Sequence, residues 1–314
     1  MKCLVLGAAG FIGSNLVKEL EKNLFELTLF DKKINDKPKC ETTCKLVEGD
    51  FSPEYDFESL VKDQDIIYHL ISTTTPNSNV TLKNEITDNV FSTLALLDAC
   101  VKEKVKKIIF ISSGGTVYGE SEGVPFEENS DNNPICSYGI QKLIIEKYLY
   151  LYYHKYSLDY SVIRLSNPYG PGQNPKGSVG AVSVFLDRMM NDEIITLYGD
   201  GSCVRDYIYI DDAVKGIVNI SKLESKDKLF NLGSGVGTSL KDIIKYLEAI
   251  MGKKANVVGL PKRINDLEYS VLNISRYKKY FPEHELIDIS RGIKLLVDYR
   301  MKASELEGRD KKNG

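Results

Sequence analysis

A tyrosine and a lysine four residues apart are the first part of the sequence that could do chemistry. Tyr138 and Lys142 lie in SYGIQK, and residues four apart share one face of a helix. A free tyrosine titrates near ~10, so a phenol that acts as a base at neutral pH needs its pKa lowered by about 3. One partly exposed lysine supplies only part of that change, so a second bound cation would have to supply the rest. The spacing is common by chance and needs support from other signals.

Three glycines near the start of the chain are spaced for a dinucleotide. Gly7, Gly10 and Gly13 form GxxGxxG between a predicted strand and the first predicted helix. Glycines in such a turn let the backbone approach a pyrophosphate, and the helix N-terminus supplies N–H donors. The motif is weak alone, but this position predicts a nicotinamide dinucleotide, whose oxidised ring carries the missing positive charge.

Acidic residues after the next strands bear on the choice of dinucleotide. Asp31 closes the second predicted strand, where a carboxylate can bond both adenosine ribose hydroxyls and favours NAD over NADP. Lys32 and Lys33 could tolerate a 2′-phosphate, which leaves NADP open. Asp50 is equally consistent with a contact to the adenine amine and with an ordinary loop residue. His69 ends an apolar strand and is predicted to be a core residue, not a catalyst.

The elements that must position these residues alternate between strand and helix. Strands are predicted over residues 2–6, 26–30, 46–48, 66–70, 107–112 and 160–165, and helices over 12–22, 57–62, 90–102 and 137–156. Nearly continuous apolar strand runs are typical of strands buried on both faces. The pattern predicts an α/β fold with a Rossmann-type, doubly wound parallel sheet.

A smaller mixed α/β substrate domain is predicted toward the C-terminus. The segment SNPYGPGQNPKG breaks the alternation, and shorter elements follow at 179–190, 204–209, 211–223, 230–232 and 240–251. We assign 1–168 plus about 205–238 to an NAD-binding domain and about 169–204 plus 239–300 to the substrate domain. The charged stretch 301–314 is predicted to be a frayed tail.

Composition excludes several classes of protein. The chain has 314 residues and a net charge of -3, which argues against a basic nucleic-acid binder. No apolar run approaches the ~18 residues of a membrane span, and MKCLVLGAAG runs directly into a strand without a signal peptide. Six cysteines do not make a disulfide framework in a chain this long. Cys40 and Cys44 are interpreted as loop cysteines, no metal site is expected, and the cytoplasm is the expected compartment.

Two helices are apolar nearly all round, at 90–101 and 143–156. A helix on a sheet buries one stripe, so an all-round apolar helix requires a second partner. A thick core would explain this composition. We favour a homodimer through helices 90–101 and 138–156.

The motifs together resemble the extended short-chain dehydrogenase/reductase family, and within it the NAD-dependent sugar-nucleotide epimerases of the UDP-glucose 4-epimerase type. The resemblance runs from about residue 2 to about residue 299. The motifs that carry it are GAAGFIG, SSGGTVYG, YGIQK, SNPYGPGQ, YGDGSCVRDYIYIDD and FNLGSG. In that family a tyrosine removes a proton from a sugar hydroxyl while a hydride leaves the same carbon for NAD. The 4-keto sugar turns over, and the hydride returns to its other face.

The resemblance implies a role for each matching residue. Tyr138 is the base, and Lys142 lowers its pKa and holds the nicotinamide ribose. Asn167 and Arg205 hold the substrate diphosphate, although Arg205 could instead pair with Asp206 or Asp211. The implied NAD contacts are Gly7, Gly10, Phe11, Ile12, Gly13, Asp31, Asp50, Phe51, Leu70, Asn89, Ser112, Tyr138, Lys142 and Ser166.

One departure from the family concerns the catalytic hydroxyl. The family's Ser or Thr lies where this chain has Gly114. Side chains two apart on an extended backbone share a face, so Thr116 is predicted to replace it, with Ser113 in reserve. Related dehydratases and decarboxylases carry Glu at the position of Thr116, and dehydratases carry Asp at that of Gly115. Their absence favours an epimerase over a dehydratase.

The segment RINDLEYS bears on substrate size. Arg263 and Asp266 resemble the family's Arg-x-x-Asp, with Arg263 on the diphosphate. Four residues later Ser270 stands where a bulky Tyr would exclude N-acetyl groups, although a one-residue slip would place Tyr269 there. We predict a UDP-hexose or UDP-N-acetylhexosamine 4-epimerase. A nucleotide-sugar 4-ketoreductase, a uronate epimerase and a non-catalytic NAD-binding regulator are the alternatives.

Overall fold

A seven-stranded parallel sheet forms the centre of the molecule. The structure is a computed structural model that describes residues 1–34, 44–75, 81–176, 180–262 and 267–310, with side chains to residue 305. The strand order is β10-β6-β5-β4-β1-β2-β3, all pairs parallel. These strands are β1 (Lys2–Leu6), β2 (Glu26–Asp31), β3 (Lys45–Glu48), β4 (Ile66–His69), β5 (Lys107–Ser113), β6 (Asp159–Leu165) and β10 (Leu229–Leu232).

Helices cover both faces of this sheet, which explains its apolar strands. One core cluster joins one face of the sheet to α1 (Phe11–Lys22) and α7 (Ile210–Lys222). The opposite cluster joins the other face to α2 (Phe57–Val61), α4 (Ser92–Lys102) and α5 (Ser137–Tyr156). Both faces of β1, β4 and β5 are thereby removed from water, so the predicted doubly wound α/β fold is confirmed.

A smaller mixed sheet lies toward the C-terminus. Its strands are β7 (Asn167–Tyr169), β9 (Val204–Tyr209), β11 (Gly237–Ser239) and β13 (Tyr269–Ser270), and β8 (Ile195–Tyr198) pairs separately with β12 (Val257–Leu260). A third core cluster packs this region against α6 (Ala181–Met190), α8 (Leu240–Met251) and α10 (Ile289–Asp310). The helix α9 (Ser275–Tyr280) packs on the large-sheet core instead.

Three details differ from the sequence expectations. The strand β9 pairs only within the smaller sheet, although its residues fall largely in the segment expected to belong to the NAD-binding domain. The helix predicted from residue 90 is preceded by α3 (Leu82–Ile86) and a π-helical turn at Thr87–Phe91, because apolar periodicity cannot register one extra residue in a turn. Residues 301–310 continue the last helix instead of fraying.

The described cysteines are of two kinds. Cys3, Cys100, Cys136 and Cys203 are free, whereas Cys44 is disulfide-bonded, which its CxxxC spacing did not lead us to expect. Cys40 lies outside the described residues. In the described ranges, no helix is long and apolar enough to cross a membrane, and no cluster of His, Cys, Asp and Glu could hold a metal ion.

Candidate active site

The candidate site lies at the carboxyl edge of the large sheet, where parallel strands of an open α/β sheet present their ligand-binding loops. Five successive strands end there: β1, β2, β4, β5 and β6. They are followed or closed by Gly7, Asp31, Leu70, Ser113 and Ser166. The fold therefore brings the predicted cofactor residues, which are dispersed over 160 positions of sequence, to one edge.

The glycine turn between β1 and α1 is shaped by its own backbone. Gly7 has φ +87, a left-handed conformation that favours glycine. A Cβ on Gly13 would lie 2.0 Å from the carbonyl oxygen of Gly7, so only glycine fits this close helix–turn contact. Gly10 begins α1 without a side-chain cap, and the first N–H groups of the helix remain available to an anion. The half-buried Phe11 and Ile12 form its first turn.

Asp31 connects the end of β2 to this turn. Its carboxylate accepts hydrogen bonds from the N–H of Ala9 at 2.9 Å and of Lys32 at 2.7 Å. The ammonium of Lys32 forms a 2.7 Å ion pair with the exposed Asp50. This ion pair is exposed, so it does not by itself select against a 2′-phosphate. The glycine turn and the carboxylate of Asp31 fit an NAD molecule.

Two further predicted cofactor residues are half-buried beside the core. Leu70 donates its N–H to Leu6 O at 3.0 Å, and the ring of Phe51 lies 5.2 Å from the ring of His69. His69 is buried, its Nε2 lies 2.9 Å from Thr93 Oγ1, and its Nδ1 has no partner among the described residues. Burial lowers the pKa of His69 to about 3, so the ring is neutral and belongs to the core, as expected.

Asn89 lies in the π-helical turn before α4 and is buried. Its amide oxygen accepts from Thr73 N at 2.9 Å, and its amide nitrogen donates to Glu85 O at 3.0 Å and Gln141 Oε1 at 2.8 Å. A π-turn is rare and often lies at a functional site. Here it directs Asn89 toward the first turn of α5, which carries Tyr138.

Tyr138 and Lys142 share one face of α5, as the sequence predicted. The ammonium of Lys142 lies 5.6 Å from the centroid of the Tyr138 ring and 4.7 Å from that of Phe110. It donates to Ile111 O at 2.9 Å, at the end of β5. The lysine is thus fixed between α5 and the end of β5.

Burial dominates the proton affinities of this pair. It raises the pKa of Tyr138 to about 12, with a smaller contribution from Cys136. It lowers the pKa of Lys142 to about 8, opposed by the charge of Glu146. Both directions follow from the cost of a charge in an apolar setting. Lys142 alone therefore does not make Tyr138 a base, in agreement with the requirement for a second cation.

The end of β5 and the loop after it carry the candidate hydroxyls, and these hydroxyls differ in environment. Ser112 donates to Glu146 Oε1 at 2.5 Å, so its hydroxyl proton is already engaged. The half-buried Ser113 uses its carbonyl to accept from Thr116 N at 3.4 Å and Val117 N at 3.2 Å. The hydroxyl of Thr116 is buried and has no hydrogen-bond partner among the described residues. Thr116 is therefore the hydroxyl best suited to bond a ligand.

The predicted substrate residues lie on the smaller sheet and the loop before it. Asn167 donates to Asp206 O at 2.9 Å, and the adjacent Ser166 has a buried hydroxyl without a partner in the described part of the chain. Arg205 donates to Val204 O at 2.9 Å. Within the described ranges Arg205 forms no ion pair, so its guanidinium is available to a phosphate.

The orientation of β13 bears on substrate size. Ser270 pairs with Arg205, and Tyr269 pairs with Val204. Because paired residues of neighbouring strands point to the same face, Ser270 shares the face of Arg205 and Tyr269 does not. Ser270 is buried and Tyr269 is half-buried. Arg263 and Asp266 lie outside the described residues.

A buried ion pair beneath the loop escaped the sequence analysis. Arg164 of β6 pairs with Glu146 of α5 at 2.6 Å, and both side chains are almost fully buried. Arg164 also donates to Asn132 at 2.8 Å. A lone Glu one turn after Lys142 and a lone Arg in the apolar run SVIRLS were the available signals. A buried charge is almost always paired, but sequence gives no partner.

The sequence profile of the NAD dependent epimerase/dehydratase family matches residues 3–233. A putative UDP-glucose 4-epimerase of Methanocaldococcus jannaschii is 32% identical over 305 residues, which cover 94% of this chain and 97% of that protein. The dTDP-4-dehydro-6-deoxyglucose reductase of Escherichia coli is 33% identical over 310 residues, covering 94% and 96%.

A similar solved structure is the UDP-glucose 4-epimerase of Thermotoga maritima with UDP-glucose. It is 33% identical in sequence and superposes with a TM-score of 0.90. The match covers 96% of this chain and 99% of that chain. The likeness therefore extends over both the large and the smaller sheet.

Proposed function

The chain belongs to the NAD-dependent epimerase/dehydratase family as an NAD-dependent sugar-nucleotide epimerase, and from its site we propose that it interconverts the C4 epimers of a UDP-sugar. The observation that carries the proposal is the buried, unpartnered hydroxyl of Thr116 on the loop beside Tyr138. A hydroxyl there can hydrogen-bond a sugar oxygen. Gly115 and Thr116 supply no carboxylate that could remove a C5 proton, which disfavours a dehydratase.

The chain's own residues perform the proton chemistry. NAD held beside the glycine turn would supply the hydride acceptor and donor and, when oxidised, a positive charge near the phenol. Tyr138, whose pKa burial raises to about 12, becomes a base when that charge and the ammonium of Lys142 both favour the phenolate. Tyr138 then takes the proton of the sugar 4-hydroxyl, and Thr116 donates a hydrogen bond to the same oxygen as negative charge develops on it.

Two features of the site support a nucleoside diphosphate as the part of the substrate that the protein binds. Arg205 has no carboxylate partner among the described residues, and a guanidinium binds phosphate through paired donors. Asn167 lies between Gly115 and Asp206, since its Oδ1 is 3.9 Å from the position of a Cβ on Gly115 and its Nδ2 donates to Asp206 O. We assign both residues to the diphosphate.

The small side chain of Ser270 supports a substrate with an N-acetyl group at C2. Ser270 lies on the face of Arg205, and its bulky neighbour Tyr269 lies on the other. UDP-GlcNAc and UDP-GalNAc are therefore proposed substrates besides UDP-Glc and UDP-Gal. Ser270→Tyr should lower the ratio of kcat/KM for UDP-GlcNAc to that for UDP-Glc at least ~10-fold through a steric clash. An unchanged ratio would remove Ser270 from substrate selection.

The function is tested by incubating the purified protein with NAD and either UDP-Glc or UDP-GlcNAc, and following the anomeric proton signals by NMR. Conversion to the C4 epimer is expected. Tyr138→Phe should reduce it by about 10²-fold or more, whereas Tyr153→Phe, an exposed tyrosine on the same helix, should not. Equal loss in both variants, or no loss in either, would contradict the assigned base.

The resemblance to a dTDP-4-dehydro-6-deoxyglucose reductase favours a 4-ketoreductase as the second candidate. A reductase needs the same Tyr138 and Lys142, but consumes one NADH or NADPH for each product. Stoichiometric loss of reduced cofactor with a nucleotide-linked 4-keto sugar, without epimerase activity, would select this candidate.

We further propose a homodimer through α4 and α5. The two helices are joined by a 2.6 Å hydrogen bond from Tyr152 to Asp98. Apolar side chains remain exposed on or beside them, at Phe91 (52%), Tyr150 (61%) and Leu151 (47%). Large apolar side chains that are exposed on two packed helices favour an interface at those helices.

Light scattering of Leu151→Glu tests the dimer. A monomer is expected for this variant and a dimer for the wild type. A matched control is Val124→Glu, since Val124 is exposed on the loop after β5 and lies outside the two helices. A wild-type monomer, or a Leu151→Glu dimer, would refute the proposed interface.

A further inference from the structure

Position 114 has no room for a side chain, although its backbone would permit one. A Cβ built on Gly114 would lie 2.5 and 2.9 Å from Leu272 Cδ1 and Cδ2, and 3.2 Å from Arg164 O. The adjacent Gly115 differs, because a Cβ there would meet only Asn167 Oδ1, at 3.9 Å. Neither glycine has the positive φ that would exclude other residues. The two shortest contacts at position 114 are both with the side chain of Leu272, which is therefore the main obstacle; the contact with Arg164 O is tight but longer.

Leu272 is held so that it cannot easily withdraw. Its side chain is 1% exposed and packs with Val117, Tyr118 and Phe126. Its N–H donates to Asp206 Oδ2 at 3.3 Å. The residues on either side of Leu272 form backbone hydrogen bonds with Phe126. Phe126 N donates to Val271 O at 2.9 Å, and Asn273 N donates to Phe126 O at 2.8 Å.

We propose that Leu272 is a positioning residue that keeps position 114 free of a side chain and thereby leaves Thr116 as the hydrogen-bond donor of the site. The inference rests on the proposed function and deepens it. Thr116 lies two residues after Gly114, and its hydroxyl is buried without a partner among the described residues. Because the family resemblance places a catalytic Ser or Thr at position 114, we expect a hydroxyl there to bond the same sugar oxygen as Thr116, but only after Leu272 is shortened.

The steric part of the proposal is tested by thermal unfolding of the holoenzyme, without reference to activity. Gly114→Ser should lower Tm by several degrees because overpacking strains a close-packed core. Gly115→Ser is the matched control and should leave Tm nearly unchanged. In a Leu272→Ala background, Gly114→Ser should lower Tm much less or raise it. Equal Tm losses for Gly114→Ser with Leu272 and with Ala at position 272 would overturn the proposal.

The catalytic part is tested in a Thr116→Val background by measuring kcat. Adding Gly114→Ser alone should not restore activity. Adding Leu272→Ala as well should restore it at least ~10-fold, part of the 10²–10³-fold that one donor contributes. If Leu272→Ala lowers Tm too far, Leu272→Val replaces it. Restoration by Gly114→Ser alone would refute the role of Leu272, as would no restoration in a folded triple variant.

The two experiments separate the inference from the proposed function. If the wild type does not epimerise any UDP-sugar, the proposed function fails, while the Tm cycle still decides whether Leu272 bars a side chain from position 114. If the Tm cycle shows no coupling while the wild type is active, the inference fails and the proposed function stands.

Discussion

Thr116→Val should change stability and activity in opposite directions. Valine has the shape of threonine without its hydroxyl, and the Thr116 hydroxyl is buried with no hydrogen-bond partner in the described part of the chain. A buried polar group without a partner costs about 1–3 kcal/mol. Valine removes this cost, so the free energy of unfolding should rise by about 1 kcal/mol and Tm by roughly 1–2 °C.

The same substitution should lower kcat. Removal of one donor aimed at a developing oxyanion lowers kcat by about 10²–10³-fold, or about 2.7–4 kcal/mol. Substrate binding should change less, because the bond strengthens only as charge develops on the sugar oxygen. The assay is urea unfolding together with initial rates of epimerisation over a range of UDP-sugar concentrations.

Thr93→Val is the matched control for stability. The Thr93 hydroxyl is also buried, but it donates to Asn89 O at 2.6 Å and lies 2.9 Å from His69 Nε2. Its loss leaves partners unsatisfied and should lower the free energy of unfolding by about 1–3 kcal/mol. If Thr116→Val were destabilised like Thr93→Val, or kept full kcat, the claim that the Thr116 hydroxyl bonds the substrate and not the protein would be refuted.

Three other predictions follow from buried titratable groups. Burial lowers the pKa of Lys142 to about 8, so its ammonium is present below that pH and lost above it. The kcat/KM of the wild type should fall above about pH 8. Lys142→Arg should not show this decrease, because arginine does not titrate there. The same decrease in both proteins would show that Lys142 is not the group that titrates. Burial holds the folded pKa of His69 at about 3 against ~6.5 unfolded, so the unfolded chain binds the extra proton and stability falls as pH drops below 6.5. Between about pH 7.5 and 5 this loss is roughly 2 kcal/mol, and urea titrations should show it in the wild type but not in His69→Gln. Lys107 donates to the carbonyls of Ile220, Ser221 and Leu223 at the end of α7. Lys107→Met should therefore lower the free energy of unfolding, measured in urea, by about 1–3 kcal/mol. A higher free energy of unfolding in this variant would show that the cost of burying the charge exceeds the contribution of the hydrogen bonds.

Local sequence patterns predicted the parts of the fold that depend on neighbours along the chain. The apolar runs of β1, β4 and β5 were recognisable because both faces of these strands are covered by helices. Tyr138 and Lys142 were recognisable because helical periodicity alone places them on one face. The glycine turn was recognisable from the GxxGxxG spacing, because the close contact between Gly13 and Gly7 leaves no room for a Cβ.

Long-range contacts could not be predicted in the same way. Nothing in the sequence near Gly114 indicates that Leu272, more than 150 residues later, fills the adjacent space. The pairing of Glu146 with Arg164 likewise depends on α5 crossing β6. The sheet to which β9 belongs could not be predicted either, because its composition suits both sheets and only its partners β7, β11 and β13 decide.

The central claim is that oxidation and reduction occur at the same sugar carbon. It is tested most directly with a UDP-sugar that carries deuterium at C4, by measuring the isotope at C4 of the epimeric product. The account predicts that the deuterium is retained at C4, with no net accumulation of NADH, and that Tyr138→Phe greatly slows its appearance in the product. Loss of the deuterium to solvent, or stoichiometric formation of NADH with a 4-keto sugar, would contradict it.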